Sequence, residues 1–471
     1  MGAREIVKLE HEHALAAAVG AEHGVRPDEL GGVAERLGTI VARVTAEERG
    51  GAHRWRSLPS DGAMRQEVAA AVTRHRPGCK NLVVLGIGGS ALGNTALQTA
   101  LNSPLYNLLP APRRPGPRLF VLDNVDPVWI GELLDLLEPE LRETTFNVIS
   151  KSGETAETAS QFLVFWSRLE ERLGRADAAQ RLVVTTDPVG GALRRLAGKM
   201  RFATLPVPEG VGGRFSVLSA VGLFSAAMCG IDIDEVLAGA AAMLPATAAA
   251  RLEENPAAMI AAIHFALYGR GKRLHVMMPY AQQLRDLADW YRQLWAESLG
   301  KRVDRGGAEV FAGATPIKAL GATDQHSQVQ LYREGPNDKV FTLLAAEKFD
   351  RDVSIPAAFG DEETLAYLAS ATMGQLLNTE RVATEMALVQ SARPCLTVRF
   401  ARVSPYAVGS FIALYEAATV LMGGLLNIDP YDQPAVQLGK EYTYALMGRA
   451  GYEAQAAELR TRLGSRAPGG R

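Results

Sequence analysis

A chain of 471 residues, 47% hydrophobic and 22% charged, is long enough for about two to three domains and has the balance of a globular protein, not a disordered one. Its formal net charge of −2 argues against broad attraction to nucleic acid or an anionic membrane, leaving room only for a local positive site that binds a small anion. Three scattered cysteines, Cys79, Cys229 and Cys395, form no CxxC pair and argue against a disulfide framework or a structural zinc site.

The chain opens MGAREIVKLEHEHALAAAVGA, with charges throughout and no signal-peptide core. Gly2 follows Met1, but Ile6 stands where a myristoylation motif has Ser or Thr. A cytosolic protein is expected. Residues up to Pro77 read as helical, rich in Ala, Glu and Arg. From Asn81 short apolar runs alternate with helical stretches, predicting strands at Leu82–Leu85, Arg118–Leu122, Phe146–Ile149, Leu182–Thr185 and Phe202–Leu205. A second set follows at Arg273–Met278, Val310–Phe311, Lys339–Leu344 and Cys395–Phe400. That alternation predicts an α/β fold of two doubly wound parallel sheets. The expected organisation is a helical segment over 1–77, an α/β domain over 78–210, a helical connection over 211–270, a second α/β domain over 271–430 and a helical segment over 431–471. The most apolar runs, Phe215–Ile233 and Gly409–Ile428, carry Asp232 and Glu416 and read as buried helices, not membrane spans. The closing SRAPGGR reads as a frayed tail.

Six segments carry chemistry. LVVLGIGGSALG, Leu82–Gly93, runs a buried strand into a glycine-rich turn and then a helix, the arrangement that brings backbone N–H groups to a phosphate. Gly86-Ile-Gly88-Gly89-Ser90-Ala91 formally fits the dinucleotide fingerprint. The acidic residue that should follow about 20 residues on is missing, since the first acid at a strand end is Asp123. No GxxxxGK[ST] is present either. A tight strand–helix turn without a ligand explains the loop equally well.

Next, Ile149-Ser-Lys-Ser-Gly-Glu-Thr-Ala-Glu-Thr158 crowds Ser150, Ser152 and Thr155 around Lys151. Helix-start N–H groups, hydroxyls and one ammonium suit a phosphate monoester, whereas plain N-capping needs one hydroxyl. In Glu209–Leu223, Gly212 and Gly213 precede Arg214, which could stabilise an oxyanion or simply pair with a carboxylate. In Tyr291–Lys301 a helix would put Gln293 and Glu297 on one face, a carboxylate beside an amide suited to a general base. In Gly321–Gln330, His326 sits in a polar stretch fit for proton transfer. His11, His13, His23, His53 and His75 read as surface residues, and His264 and His275 as packing residues. Tyr431–Lys440 contains Gln433 and ends on Lys440, which alone reads as a surface lysine.

Taken in order, GIGGSALG, SKSGETAET, VGGRFSVLSAVGL, QLWAESLGK, GATDQHSQ and YDQPAVQLGK closely resemble the motifs of the glucose-6-phosphate isomerase family. The resemblance spans Gly86 to Lys440 and implies two sugar-isomerase (SIS) α/β domains, a homodimer, and no metal or organic cofactor. It implies glucose 6-phosphate and fructose 6-phosphate as substrates, interconverted in glycolysis and gluconeogenesis. Position by position, it implies that Gly89, Ser90 and Gln433 contact the sugar phosphate and that Ser150, Lys151, Ser152 and Thr155 form the phosphate loop. Gly213 and Arg214 would face the reacting carbons, Gln293 would line the pocket, and Glu297 would be the catalytic base. His326 and Lys440 would open the ring, with His326 reaching the neighbouring subunit's site. Glu154 departs from the family, since many relatives carry a neutral or hydroxyl residue there, and an acid beside a dianion is expected to face solvent.

Three other readings compete. An isomerase could also take mannose 6-phosphate. A non-catalytic SIS module would need the hydroxyl loop but not Glu297, His326 and Lys440 together. A dehydrogenase lacks its acidic partner and leaves the second phosphate loop unexplained.

Overall fold

The computed structural model describes residues 4–359 and 361–464, so Gly2 and the terminal SRAPGGR lie outside the described residues. In chain order the strands are β1 (Lys8–Glu10), β2 (Asn81–Leu85), β3 (Arg118–Leu122), β4 (Thr144–Ile149), β5 (Leu182–Thr186), β6 (Ala203–Pro206), β7 (Leu274–Pro279), β8 (Lys301–Val303), β9 (Glu309–Ala312), β10 (Thr315–Lys318), β11 (Lys339–Lys348) and β12 (Cys395–Arg402). One sheet has the order β3-β2-β4-β5-β6 and is parallel throughout. The other runs β1-β12-β11-β7-β10, parallel except for β1. Helices cover both faces, so alternate strand residues enter different cores. In β2, Leu82 and Val84 join the large central core, while Val83 and Leu85 join the cluster on the opposite face. In β7, Met277 faces the central core and Val276 and Met278 face away from it. Burial on both faces is why these strands read as continuous apolar runs.

Two strand expectations need correction. The N-terminal stretch is not wholly helical, because Lys8–Glu10 pairs antiparallel with β12, Leu9 opposite Val398. Three residues of mixed charge carry no strand signal; the open edge of the sheet supplies the partner. Val310–Phe311 does form a strand, β9, but it pairs with β8 in a separate two-stranded ribbon. Its expected place in the second sheet is taken by β10, whose TPIK is short and contains a proline that an edge strand tolerates.

Helix Pro405–Leu425 is, among the described residues, the one long and apolar enough to cross a membrane, and its most apolar window is 94% buried inside the fold. It packs beside helix Arg285–Leu299, which also contacts helix Leu92–Leu101 and β10, so the Arg285–Leu299 helix lies between the two sheets. Three histidines expected at the surface are engaged instead. His75 is buried at the end of helix Gly62–His75, His53 stacks on Tyr431 with ring centroids 3.6 Å apart, and His13 Nδ1 lies 2.8 Å from Glu385 Oε1. His264 and His275 are core residues, as their sequence context suggests, with Nδ1 and Nε2 at 3.1 Å.

Candidate active site

In an open parallel sheet the strand order reverses at one point, and ligands bind beyond the strand ends there. In the first sheet that point falls between β2 and β4. The glycine turn Gly88–Ser90 follows β2 and the loop 150–155 follows β4, so both phosphate-type segments emerge at the same crevice.

The glycine turn packs directly on the turn Gly213–Phe215. A Cβ on Gly89 would sit 2.3 Å from Gly213 carbonyl atoms, too close for any side chain. Gly88, at φ +57°, would bring a Cβ to 3.0 Å from Gln293 Nε2. These two glycines let backbone from one sheet touch the residues that carry the charges.

Those charges meet at Arg214. Its side chain is 1% exposed and all its donors are engaged. Nε donates to Ser298 Oγ (2.7 Å), Nη1 to Gln433 Oε1 (3.0 Å), and Nη2 to the carbonyls of Pro430 (2.6 Å) and Asp432 (3.1 Å). Nη1 also lies 3.3 Å from Glu297 Oε1. Burial pulls the guanidinium's pKa below its ordinary value, against the raising effect of Glu297, Asp432 and Asp429. Helix Arg285–Leu299 carries both Gln293 and Glu297, one turn apart as their spacing requires, and Gln293 Nε2 donates to Glu297 Oε2 at 3.0 Å. Glu297 therefore has one oxygen held by an amide and the other by an arginine, at the wall of a 770 Å³ cleft lined also by Gln433, Lys301, Arg302 and Asp432. Nη1 is the edge of Arg214 whose partners, Glu297 and Gln433, line that cleft.

Sequence reasoning missed three members of this cluster. Ser298 receives Arg214 Nε. Buried Lys301 donates to the carbonyls of Glu297 (3.0 Å) and Asp432 (2.6 Å) and pairs with the Asp432 carboxylate at 3.1 Å. Burial lowers the pKa of this lysine and Asp432 opposes the shift. All three lie inside the AESLGK and YDQP segments, so the signal was there; nothing local showed which way the side chains point.

The loop 150–155 differs in kind. Ser150 Oγ and Thr155 Oγ1 are 3.2 Å apart, and Ser150 Oγ accepts from Gly153 N at 3.1 Å. Thr155 is the N-cap of helix Ala156–Leu173, yet its hydroxyl makes no cap bond, so simple N-capping does not account for it. Lys151 and Ser152 are exposed, and Lys151 Nζ donates to Val211 O (3.0 Å), tying the loop to the segment leading into Arg214. The structure thus brings together Gly89, Gly213, Arg214, Gln293, Glu297 and Gln433, with Ser90 in the adjoining turn and Ser150, Lys151, Ser152 and Thr155 joined through Lys151. His326 and Lys440 make no hydrogen bond or ion pair to them among the described residues, and both are exposed. Glu154 is exposed, as expected, and its Oε2 lies 3.4 Å from Arg449 Nη2.

A two-sheet α/β protein with a carboxylate held by an amide and a buried arginine, and a hydroxyl-rich helix start at the strand switch point, has the groups that proton transfer on a phosphorylated small molecule would use. Comparison with known proteins narrows this. The phosphoglucose isomerase family model matches residues 67–458, and the chain belongs to that family. It is 48% identical over 402 residues to the glucose-6-phosphate isomerase of Carboxydothermus hydrogenoformans, covering 85% of this chain and 86% of that one. Among solved structures it is similar to a hypothetical protein of Thermus thermophilus, at 36% identity and TM-score 0.83 over 94% of this chain and all of that one. A glucose-6-phosphate isomerase of Chlamydia trachomatis shares the fold at TM-score 0.71 and 24% identity, covering 85% of this chain and 77% of that one.

Proposed function

We infer that the chain catalyses the reversible aldose–ketose isomerisation of glucose 6-phosphate and fructose 6-phosphate, a step of glycolysis and gluconeogenesis. The observation that carries this reading is the Glu297 carboxylate, oriented by Gln293 and charge-paired with a buried, fully bonded Arg214 at the cleft wall. With the substrate's ring opened, the C2 proton is acidic because it lies next to the carbonyl. Glu297 removes it and returns it to C1 through a cis-enediolate. Accepting the proton neutralises Glu297, so Arg214 Nη1 loses its anionic partner as negative charge appears on the substrate oxygen. One positive charge, already desolvated, serves the base first and the enediolate second.

The phosphate is held by Ser150, Ser152, Thr155, Lys151 and the helix-start N–H groups. Gly89, Ser90 and Gln433 line the sugar. Ring opening falls to His326 and Lys440. We place the enzyme in the cytoplasm, where phosphorylated sugars are made and consumed, as a homodimer in which His326 serves the neighbouring site. Support for that assignment is the exposure of His326 and, among the described residues, its lack of a bond to its own chain's cluster.

Fructose 6-phosphate formation from glucose 6-phosphate, followed directly with chelator present, tests the reaction; no product would overturn it. The composite site is tested by co-refolding equal amounts of Glu297→Gln and His326→Ala chains. Half the dimers are mixed, and each has one site with both lesions and one with neither, so roughly a quarter of wild-type specific activity returns. No recovery although heterodimers form places His326 in its own chain's site.

A further inference from the structure

Helices Val436–Leu446 and Glu453–Leu463 form a pair with its own small core, Ala445, Ala456 and Leu459, separate from the three larger ones. Among the described residues, every hydrogen bond from 436–464 to another part of the fold, beyond the adjoining turn at Pro434, ends on Glu154. Tyr444 Oη donates to the Glu154 carbonyl at 3.1 Å, and Arg449 Nη2 lies 3.4 Å from the Glu154 carboxylate. The arginine is held ready, its Cζ 4.4 Å from the Tyr444 ring centre and 6.0 Å from that of Tyr452. Lys440 is one helical turn before Tyr444, so the two share a face, and that face is the one reaching the phosphate loop.

We propose that Glu154, Tyr444 and Arg449 form a clasp that docks the terminal helical pair on the phosphate loop and sets the approach of Lys440 to the substrate ring. Glu154 is then a positioning residue for ring opening. This rests on the isomerase reading for its consequence, but not for its geometry. The pair also explains how an acid is tolerated beside a dianion, because Arg449 balances its charge. Both side chains are about half exposed, 51% and 44%, so the clasp is weak enough to open during each turnover.

The two partners therefore have unequal effects. Glu154→Gln weakens the clasp, leaving the Tyr444 bond to the Glu154 carbonyl, and removes the charge that opposes phosphate; Arg449→Gln weakens it likewise and leaves that charge unbalanced. Each is expected to lower kcat by about two- to fivefold, the range of an exposed ion pair. KM should rise only for Arg449→Gln, and the double variant should have the kcat of either single variant with the KM rise removed. Ring opening alone is read by NMR exchange between the α and β anomers of glucose 6-phosphate in a Glu297→Gln background, where Glu154→Gln should slow exchange by the same factor. Amide hydrogen exchange over 436–463 in substrate-free enzyme should be faster in both single variants, whatever the enzyme's reaction. Unchanged exchange overturns the clasp. Faster amide exchange with unchanged kcat and anomer exchange overturns the positioning role. Absence of all sugar-phosphate turnover in wild type would overturn the isomerase reading and with it the role of Lys440.

Discussion

The Arg214–Glu297 centre and the loop 150–155 lie a few residues apart through the Lys151–Val211 contact, yet they are built oppositely. Arg214 is buried with every donor fixed, and Glu297 is held at both oxygens. In the loop, Lys151 and Ser152 are exposed and carry donors with few protein partners. On the proposed reading, the difference matches the charge each would meet. Charge that develops only in the transition state is best met by dipoles and ions already in place, so their ordering cost falls on folding and not on reaction. A permanent phosphate dianion brings its own acceptors, and donors left open to water can exchange that water for it.

If the comparison holds, lesions in the fixed centre reduce kcat and lesions in the open loop raise KM. The largest effect is expected for Glu297→Gln, with kcat down by about 10²–10⁴-fold while sugar-phosphate binding persists, since the amide keeps shape but cannot take the proton. Near wild-type turnover would remove Glu297 as the base. Next is Arg214→Lys, which keeps the charge and loses the fork. We expect kcat to fall by roughly 10²–10³-fold with little change in KM, read from steady-state kinetics. A rise in KM alone would mean Arg214 only binds substrate. For the loop, Lys151→Ala with Ser152→Ala should raise KM by roughly 10- to 100-fold through lost charge-assisted hydrogen bonds, while weak binding of free hexose stays unchanged. Equal losses for both ligands would make the loop a helix start and nothing more.

The remaining effect concerns stability, not turnover, and the cost of burying ionisable groups. Burial holds the carboxyl of Glu416, in helix Pro405–Leu425, well above its usual value of 4.5. The folded chain keeps a proton there that the unfolded chain releases, so stability is lost as pH rises above about 4.5, by about 1.4 kcal/mol per unit. His264, pushed down to about 3 by burial, and His275, lowered likewise, act in the reverse sense. Their contribution is complete above their ordinary value of 6.5 and is lost as pH falls. Glu416→Gln should therefore raise Tm at pH 7.5 and leave it near wild type at pH 4.5, and should steepen the acid-side loss that the histidines cause. An equal Tm shift at both pH values would show that packing, not ionisation, governs the site.

What the sequence determined by itself is what short-range patterning controls. Doubly buried strands such as β2 and β4 announce themselves as apolar runs, and the SKSGET segment shows its hydroxyls and lysine at a helix start without any tertiary information. The Gln293–Glu297 contact was legible too, because a helix fixes residues four apart on one face. The tertiary structure alone decided what is long-range. β1 exists because the edge of β12 offers hydrogen-bond partners, and TPIK rather than Val310–Phe311 completes the second sheet. Arg214 gains its partners from residues more than 80 positions away, and Glu154 meets Arg449 across nearly 300. No local pattern encodes such pairings, since they depend on where two parallel sheets and their helices close against each other. Which residues could carry charge was written in the chain; which charges face one another was settled only when the chain folded.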